Sequence, residues 1–269
     1  MLKRTATAIV LLAIAVPIVR VGGFLFFLLI GFFIVTASWE YVQMFRAADS
    51  QPSPMIVVGG TLALLLARFF LTTEAAEAAL TLLTLAAMTA HLVAYERGRA
   101  VAGTDFAVSV GGFVYLGWVG AYLLDLRNLP NGEWWLLFVL PCVWVVDSFA
   151  YMLGSRFGKH KMTPRLSPKK SWEGYAAGIV TGTLFGAGLA WVYNQNSWLV
   201  ITPLQGALLG LALSTLTTLG DLGESLIKRQ GGVKDSGSFI PGHGGAFDRI
   251  DSLIWAGAIG VFWIRWFLL

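Results

Sequence analysis

The sequence predicts an all-α polytopic integral membrane protein, and three observations carry that prediction. Of its 269 residues 57% are hydrophobic and only 13% charged, whereas an average soluble protein is roughly 25% charged. Apolar runs of roughly 17 to 25 residues, the length that crosses about 30 Å of hydrocarbon as a helix, recur along the whole chain. Runs such as "GGFLFFLLIGFFIVTASW" do not alternate apolar with polar residues, as the strands of a transmembrane barrel would.

Nine spans are expected, near 5–20, 22–39, 55–72, 75–95, 106–124, 133–153, 174–193, 199–220 and 252–269. The first begins like a signal peptide, with Lys3 and Arg4 ahead of an apolar stretch. It lacks a clear small-x-small cleavage site and a second apolar run follows at once, so it reads as a retained helix. "QPSP" at 51–54 and "LPNG" at 129–132 carry turn chemistry and fall between spans. Gly178, Gly182 and Gly186 recur every four residues, which puts them on one helix face and suits close packing within the chain. About five spans form an N-terminal region, 1–132, and a C-terminal region, 133–269, carries the charged loops and the expected chemistry.

Lysine and arginine favour cytoplasmic loops. With the N-terminus inside, nine crossings put fifteen of the nineteen basic residues on the cytoplasmic side and leave Arg20, Arg68, Arg127 and Arg265 for the other. The net charge of +4 therefore reads as topology. No exposed basic domain with a recognition element is present, so nucleic-acid binding is excluded. The single cysteine, Cys142, permits no internal disulfide.

Two expected cytoplasmic loops carry the unusual residues, "VVDSFAYMLGSRFGKHKMTPRLSPKKSWEG" at 145–174 and the stretch from "GDLGESLIKRQGG" at 220 through "KDSGSFIPGHGGAFDRIDS". Asp147 lies inside an apolar span, where an ionisable group is costly and faces either a polar cavity or a partner. Asp221 stands near the cytoplasmic end of its span. Asp248 and Asp251 are three apart and share a face if a helix begins there, where they would serve equally as helix caps. Carboxylates without histidine or cysteine partners at zinc spacing favour Mg2+, a hard cation that completes its shell with phosphate oxygens and water. Lys169, Lys170, Lys228, Arg229, Lys234 and Arg249 suit a polyphosphate, although basic loop residues also answer to anionic lipid headgroups. The glycines among them, Gly244 and Gly245 included, would let backbone N–H groups approach phosphate. Neither a P-loop nor a dinucleotide fingerprint is present.

The segment "SLIKRQGGVKDSGSFIPGHGGAFDRID" closely resembles the signature of phosphatidate cytidylyltransferases, or CDP-diacylglycerol synthases. Ser225, Lys228, Arg229, Lys234, Asp235, His243, Gly244, Gly245, Asp248, Arg249 and Asp251 fall where that pattern wants them, and the segment from Asp147 to Gly174 is similar to the family's other marked stretch. The resemblance is specific from 145 to 252 and rests on hydropathy alone in the first half. It implies attack of the phosphatidate phosphate on CTP to give CDP-diacylglycerol and pyrophosphate, in a multi-pass enzyme of the bacterial cytoplasmic membrane whose site faces the cytoplasm. It also implies a homodimer. On that reading Asp221 and Asp248 are the main Mg2+ ligands, with Asp147 and Asp251 in support and a second cation left open. Lys228, Arg229, Lys234 and Arg249 contact phosphates, and Lys169 and Lys170 hold either CTP or the phosphatidate head. Ser225, Gly244 and Gly245 belong to the substrate site, and Asp235 and His243 orient the others. Two rivals are another CTP-dependent transferase, such as a polyprenol kinase, and an anion transporter. The transporter would place charge at mid-membrane in broken, repeated helices.

Overall fold

The computed structural model describes residues 13, 15–237 and 244–269. Most of the first expected span and His243 lie outside them. The described chain is all-α apart from one small hairpin, and seven of its helices are long and apolar enough to cross a membrane. The protein is a multi-pass membrane protein. An eighth helix, Pro54–Phe70, is apolar but has only 17 residues. Each of the eight expected spans after the first is met by a helix.

The chain forms two compact units, one built from 1–124 with 226–250 and the other from 125–225 with 251–269. The sequence divides its regions at 132/133 in chain order, whereas packing groups interleaved segments. Three helices, Tyr122–Asn128, Thr218–Gln230 and Phe247–Phe267, therefore supply residues to both units.

In the first unit, helical backbone over 15–21 is interrupted at Gly22, and Gly22 and Gly23 take φ of 68° and 55°, a region that favours glycine. Helix α1 (Gly23–Ala47) follows. Pro54, whose missing N–H is no loss at a helix start, opens α2 (Pro54–Phe70). Thr72 caps α3 (Thr73–Glu96) by accepting from the Ala75 N–H. Helix α4 (Ala102–Gly112) widens into a π-helical turn, Phe113–Val119. There a Cβ on Gly112 would lie 2.8 Å from Tyr41 and Val57, and one on Gly117 2.9 Å from the Thr61 backbone. Bulk at either position would push this helix off α1 and α2. A short helix, α5 (Tyr122–Asn128), continues toward the second unit.

In the second unit, α6 (Gly132–Phe157) contains Pro141. Proline has no N–H to donate to the carbonyl four residues back, and the Leu137 carbonyl accepts instead from the Tyr193 hydroxyl at 3.0 Å. Strands β1 (Lys161–Thr163) and β2 (Ser167–Ser171) pair antiparallel and lead directly into α7 (Trp172–Gln195). Thr202 and Gln205 form a reciprocal cap at the start of α8 (Pro203–Leu216). The expected glycine stripe packs α7 between its neighbours. A Cβ on Gly182 would meet Val146 at 2.5 Å and Ser214 at 2.9 Å, and one on Gly186 would meet the Gly206 carbonyl at 2.4 Å. At the far end of α6 and α7 from the hairpin, Trp134 stacks on Trp198 at 4.3 Å and both face Tyr193.

The stretch after 220, expected as a loop, starts differently. Residues Thr218–Gln230 form a helix, α9, that extends the preceding span, and the described residues between it and α10 (Phe247–Phe267), 231–237 and 244–246, are non-helical. Polar residues make this stretch look like loop, yet Leu222, Glu224 and Ser225 are buried in the helix.

Candidate active site

The second unit builds a cluster from three elements. The hairpin is pressed onto the end of α6: a Cβ on Gly158 would meet Ser171 Oγ at 2.3 Å, and one on Gly174 the Ala150 carbonyl at 2.6 Å. Ser171 Oγ accepts from the Gly174 N–H and so caps α7, while Glu173 reaches back to His160 Nδ1 at 2.6 Å. The strand so fixed delivers Lys170, whose Nζ lies 2.9 Å from Asp221 Oδ2 on α9. Asp147, on the exposed side of α6, lies within electrostatic reach of both. The Ser225 hydroxyl donates to Asp221 Oδ1 at 3.4 Å. Successive strand residues face opposite ways, so Lys169 does not accompany Lys170 and stands exposed. Gly220 brings α9 close to α10 here, since a Cβ on it would meet the Asp251 carbonyl at 2.6 Å.

The first unit builds another cluster around the returning loop. Lys228 Nζ lies 2.7 Å from Asp248 Oδ1, with both side chains about seven-eighths buried (12% and 13% exposed). Asp248 Oδ2 accepts from the Ser236 N–H (3.1 Å), the Ser236 hydroxyl (2.8 Å) and the Gly245 N–H (2.9 Å). Gly244 has φ 83°, and a Cβ there would lie 2.7 Å from Asp248 Oδ2, so glycine is required on both counts. Arg229 donates to the Val233 carbonyl. Lys234, Asp235 and Arg249 are exposed, and Asp251 accepts from the Ser252 N–H.

One carboxylate in this cluster escaped the sequence reading. Glu40, on α1, is only 6% exposed and accepts from the Ala246 N–H, the Phe247 N–H and the Ser236 hydroxyl. The expected span ended at 39, which placed Glu40 in a loop. Had the helix been carried to Ala47, a lone carboxylate within an apolar helix would have stood out as Asp147 did.

Among the described residues, no three His, Cys, Asp or Glu side chains gather as a metal-holding group. The residues nevertheless fit a hard cation in a limited way. Asp221 keeps 37% of its side chain exposed, shares the field of Asp147, and already carries a cation in Lys170. That suits Mg2+, which takes one or two carboxylates and keeps its waters. Asp248 has one oxygen committed to three loop donors, so it offers its other oxygen, the one that faces Lys228.

Residues 2–267 match the cytidylyltransferase family. The chain is 36% identical to a phosphatidate cytidylyltransferase of Pseudomonas aeruginosa, covering 97% of this chain and 94% of that protein. It is 30% identical to one from Synechocystis sp., covering 97% and 96%. It is 39% identical to one from Bacillus subtilis over 142 residues, about half of each chain.

Proposed function

The chain belongs to the cytidylyltransferase family, and from that premise we propose that it converts CTP and phosphatidate to CDP-diacylglycerol and pyrophosphate in phospholipid biosynthesis. An oxygen of the lipid phosphate attacks the α-phosphorus of CTP. A phosphorus–oxygen bond forms, the bond from that phosphorus to the oxygen bridging the β-phosphate breaks, and pyrophosphate leaves with the electron pair. The nucleophile is already an anion at neutral pH, so the protein's task is positioning and charge stabilisation.

The pairing of lysine with aspartate, at Lys170–Asp221 and again at Lys228–Asp248, carries this reading. Each pair holds an ammonium that phosphate oxygens can claim and a carboxylate that a cation can claim. Mg2+ would supply charge neutralisation of the triphosphate, with Asp221 and Asp248 as its main ligands and Asp147 and Asp251 in support. Lys228, Arg229, Lys234 and Arg249 are assigned to phosphates, and Lys169 and Lys170 to CTP or the lipid head. Ser225, Gly244 and Gly245 are assigned to the substrate site, and Asp235 and His243 to orienting these groups. The site is assigned to the cytoplasmic face of the membrane, and the enzyme to a homodimer.

The test is purified protein in lipid nanodiscs with phosphatidate, Mg2+ and each nucleoside triphosphate, labelled at the α-phosphate in one series and at the γ-phosphate in a parallel one. Label should enter the lipid fraction from CTP, with release of pyrophosphate. No lipid-linked label would overturn the proposal, and label from the γ-phosphate instead would favour a kinase.

A further inference from the structure

Building on that function, we propose that Glu40 is a positioning residue of the transfer reaction, a carboxylate from the first half of the chain around which the returning loop and the start of the last helix are seated. Both of its oxygens are taken. Oε1 accepts from the Ala246 N–H at 2.9 Å, and Oε2 accepts from the Phe247 N–H at 2.9 Å and the Ser236 hydroxyl at 3.0 Å. A buried carboxylate is costly unless its oxygens are hydrogen-bonded, and these donors satisfy it. Two of them are N–H groups at the start of α10, which have no partner within the helix and where the helix dipole is positive. Glu40 thus caps a helix that begins 207 residues later in the chain.

The glycines show independently that the loop is shaped to this side chain. A Cβ on Gly237 would lie 2.5 Å from Glu40 Oε1, and one on Gly245 would lie 2.5 and 2.6 Å from its two oxygens. Real Cβ atoms do not come so close, so Gly237 and Gly245 can border the carboxylate only because both lack one. Asp248 is the next residue but one to Ala246, and it shares the Ser236 hydroxyl with Glu40. Displacing Glu40 would therefore move the carboxylate assigned to Mg2+ without any contact between Glu40 and substrate. An amide cannot replace it cleanly, because Glu40 faces donors on both oxygens and a Gln side chain would point an N–H at one of them.

Two readouts test this in full-length protein in nanodiscs. In Glu40→Gln, hydrogen exchange should accelerate in peptides covering 244–250 and stay unchanged in α7. The kcat should fall on the order of 10²-fold, as expected when a reacting group is misplaced by about an ångström, while the KM for phosphatidate changes little. The second readout is a cycle with Gly237→Ala. That substitution alone should impair kcat by displacing the carboxylate, and it should cost less in a Glu40→Asp background, where the shorter acid vacates the space. The cycle still decides the matter if Glu40→Gln does not fold. In an active wild type, unchanged exchange and kcat in Glu40→Gln, or an equal cost of Gly237→Ala in both backgrounds, would overturn the proposal. A wild type that transfers no nucleotide would overturn the function and leave the exchange result to judge the seat alone.

Discussion

Asp248 serves two purposes with one carboxylate, since one oxygen organises the loop through Ser236 and Gly245 while the other faces Lys228. Asp248→Asn can keep the loop bonds through its amide oxygen, but it removes the charge that Lys228 meets. Breaking a fully buried pair costs about 3–5 kcal/mol, and less is expected here because both side chains keep some exposure. The variant should therefore lose nearly all CDP-lipid formation and also melt lower. Adding Lys228→Met should restore the melting temperature without restoring activity, and a double variant as unstable as the single one would argue against this pairing. Asp221→Asn should abolish activity with a smaller thermal effect, since its pair with Lys170 is partly solvated. At this scale the sequence was informative wherever a charge interrupted an apolar run. Asp147 stood out for that reason, Asp221 as an acid near the end of its span and Lys170 among the basic residues of a loop, and the three lie together. Glu40 did not, because a span edge drawn one residue short hid it among ordinary loop charges.

Helix positions were readable from hydropathy because a membrane span has to be continuous, but hydropathy could not show where a helix runs on past the hydrocarbon. Helix α9 is the example: "GDLGESLIKRQ" is polar by composition, yet Gly220, Leu222, Glu224 and Ser225 are buried in it. The hairpin was equally hidden, since "KMTPRLSPKKS" has strands of only three and five residues. Spacing did reveal the glycine stripe of α7, and the structure makes its role testable. Gly186→Ala would force a Cβ to within 2.4 Å of the Gly206 carbonyl, an overpacking of about 1–3 kcal/mol. Gly188, on the same helix, has nothing within 4 Å of such a Cβ, and Gly188→Ala should be neutral or slightly stabilising because alanine is the better helix former. Thermal unfolding of the two variants in detergent measures the contrast, and equal effects would mean that the stripe does not hold α7 against α8.

For the molecule as a whole, charge partition predicts which loops share a side, and α7 gives a direct check. Single cysteines at Arg165 and Asn196, before and after this helix, should label from opposite sides of the membrane in a Cys142→Ala background. Labelling of both from one side would remove α7 from the list of spans. The interleaving of the two units could not be read from sequence, because it depends on which helices pack and not on where each begins. Helix α7 has one more consequence. Its 24 residues make about 36 Å of helix against about 30 Å of hydrocarbon, and aromatic residues mark one end while Lys170 precedes the other. On the proposed function, Lys170 then stands at the height of lipid phosphates, and phosphatidate reaches it by lateral diffusion, never leaving its leaflet. Supply of this substrate is a two-dimensional problem: at constant total phosphatidate, added neutral lipid should slow turnover as the surface fraction falls, while dilution with buffer that keeps CTP and Mg2+ at their original concentrations should leave turnover per enzyme unchanged.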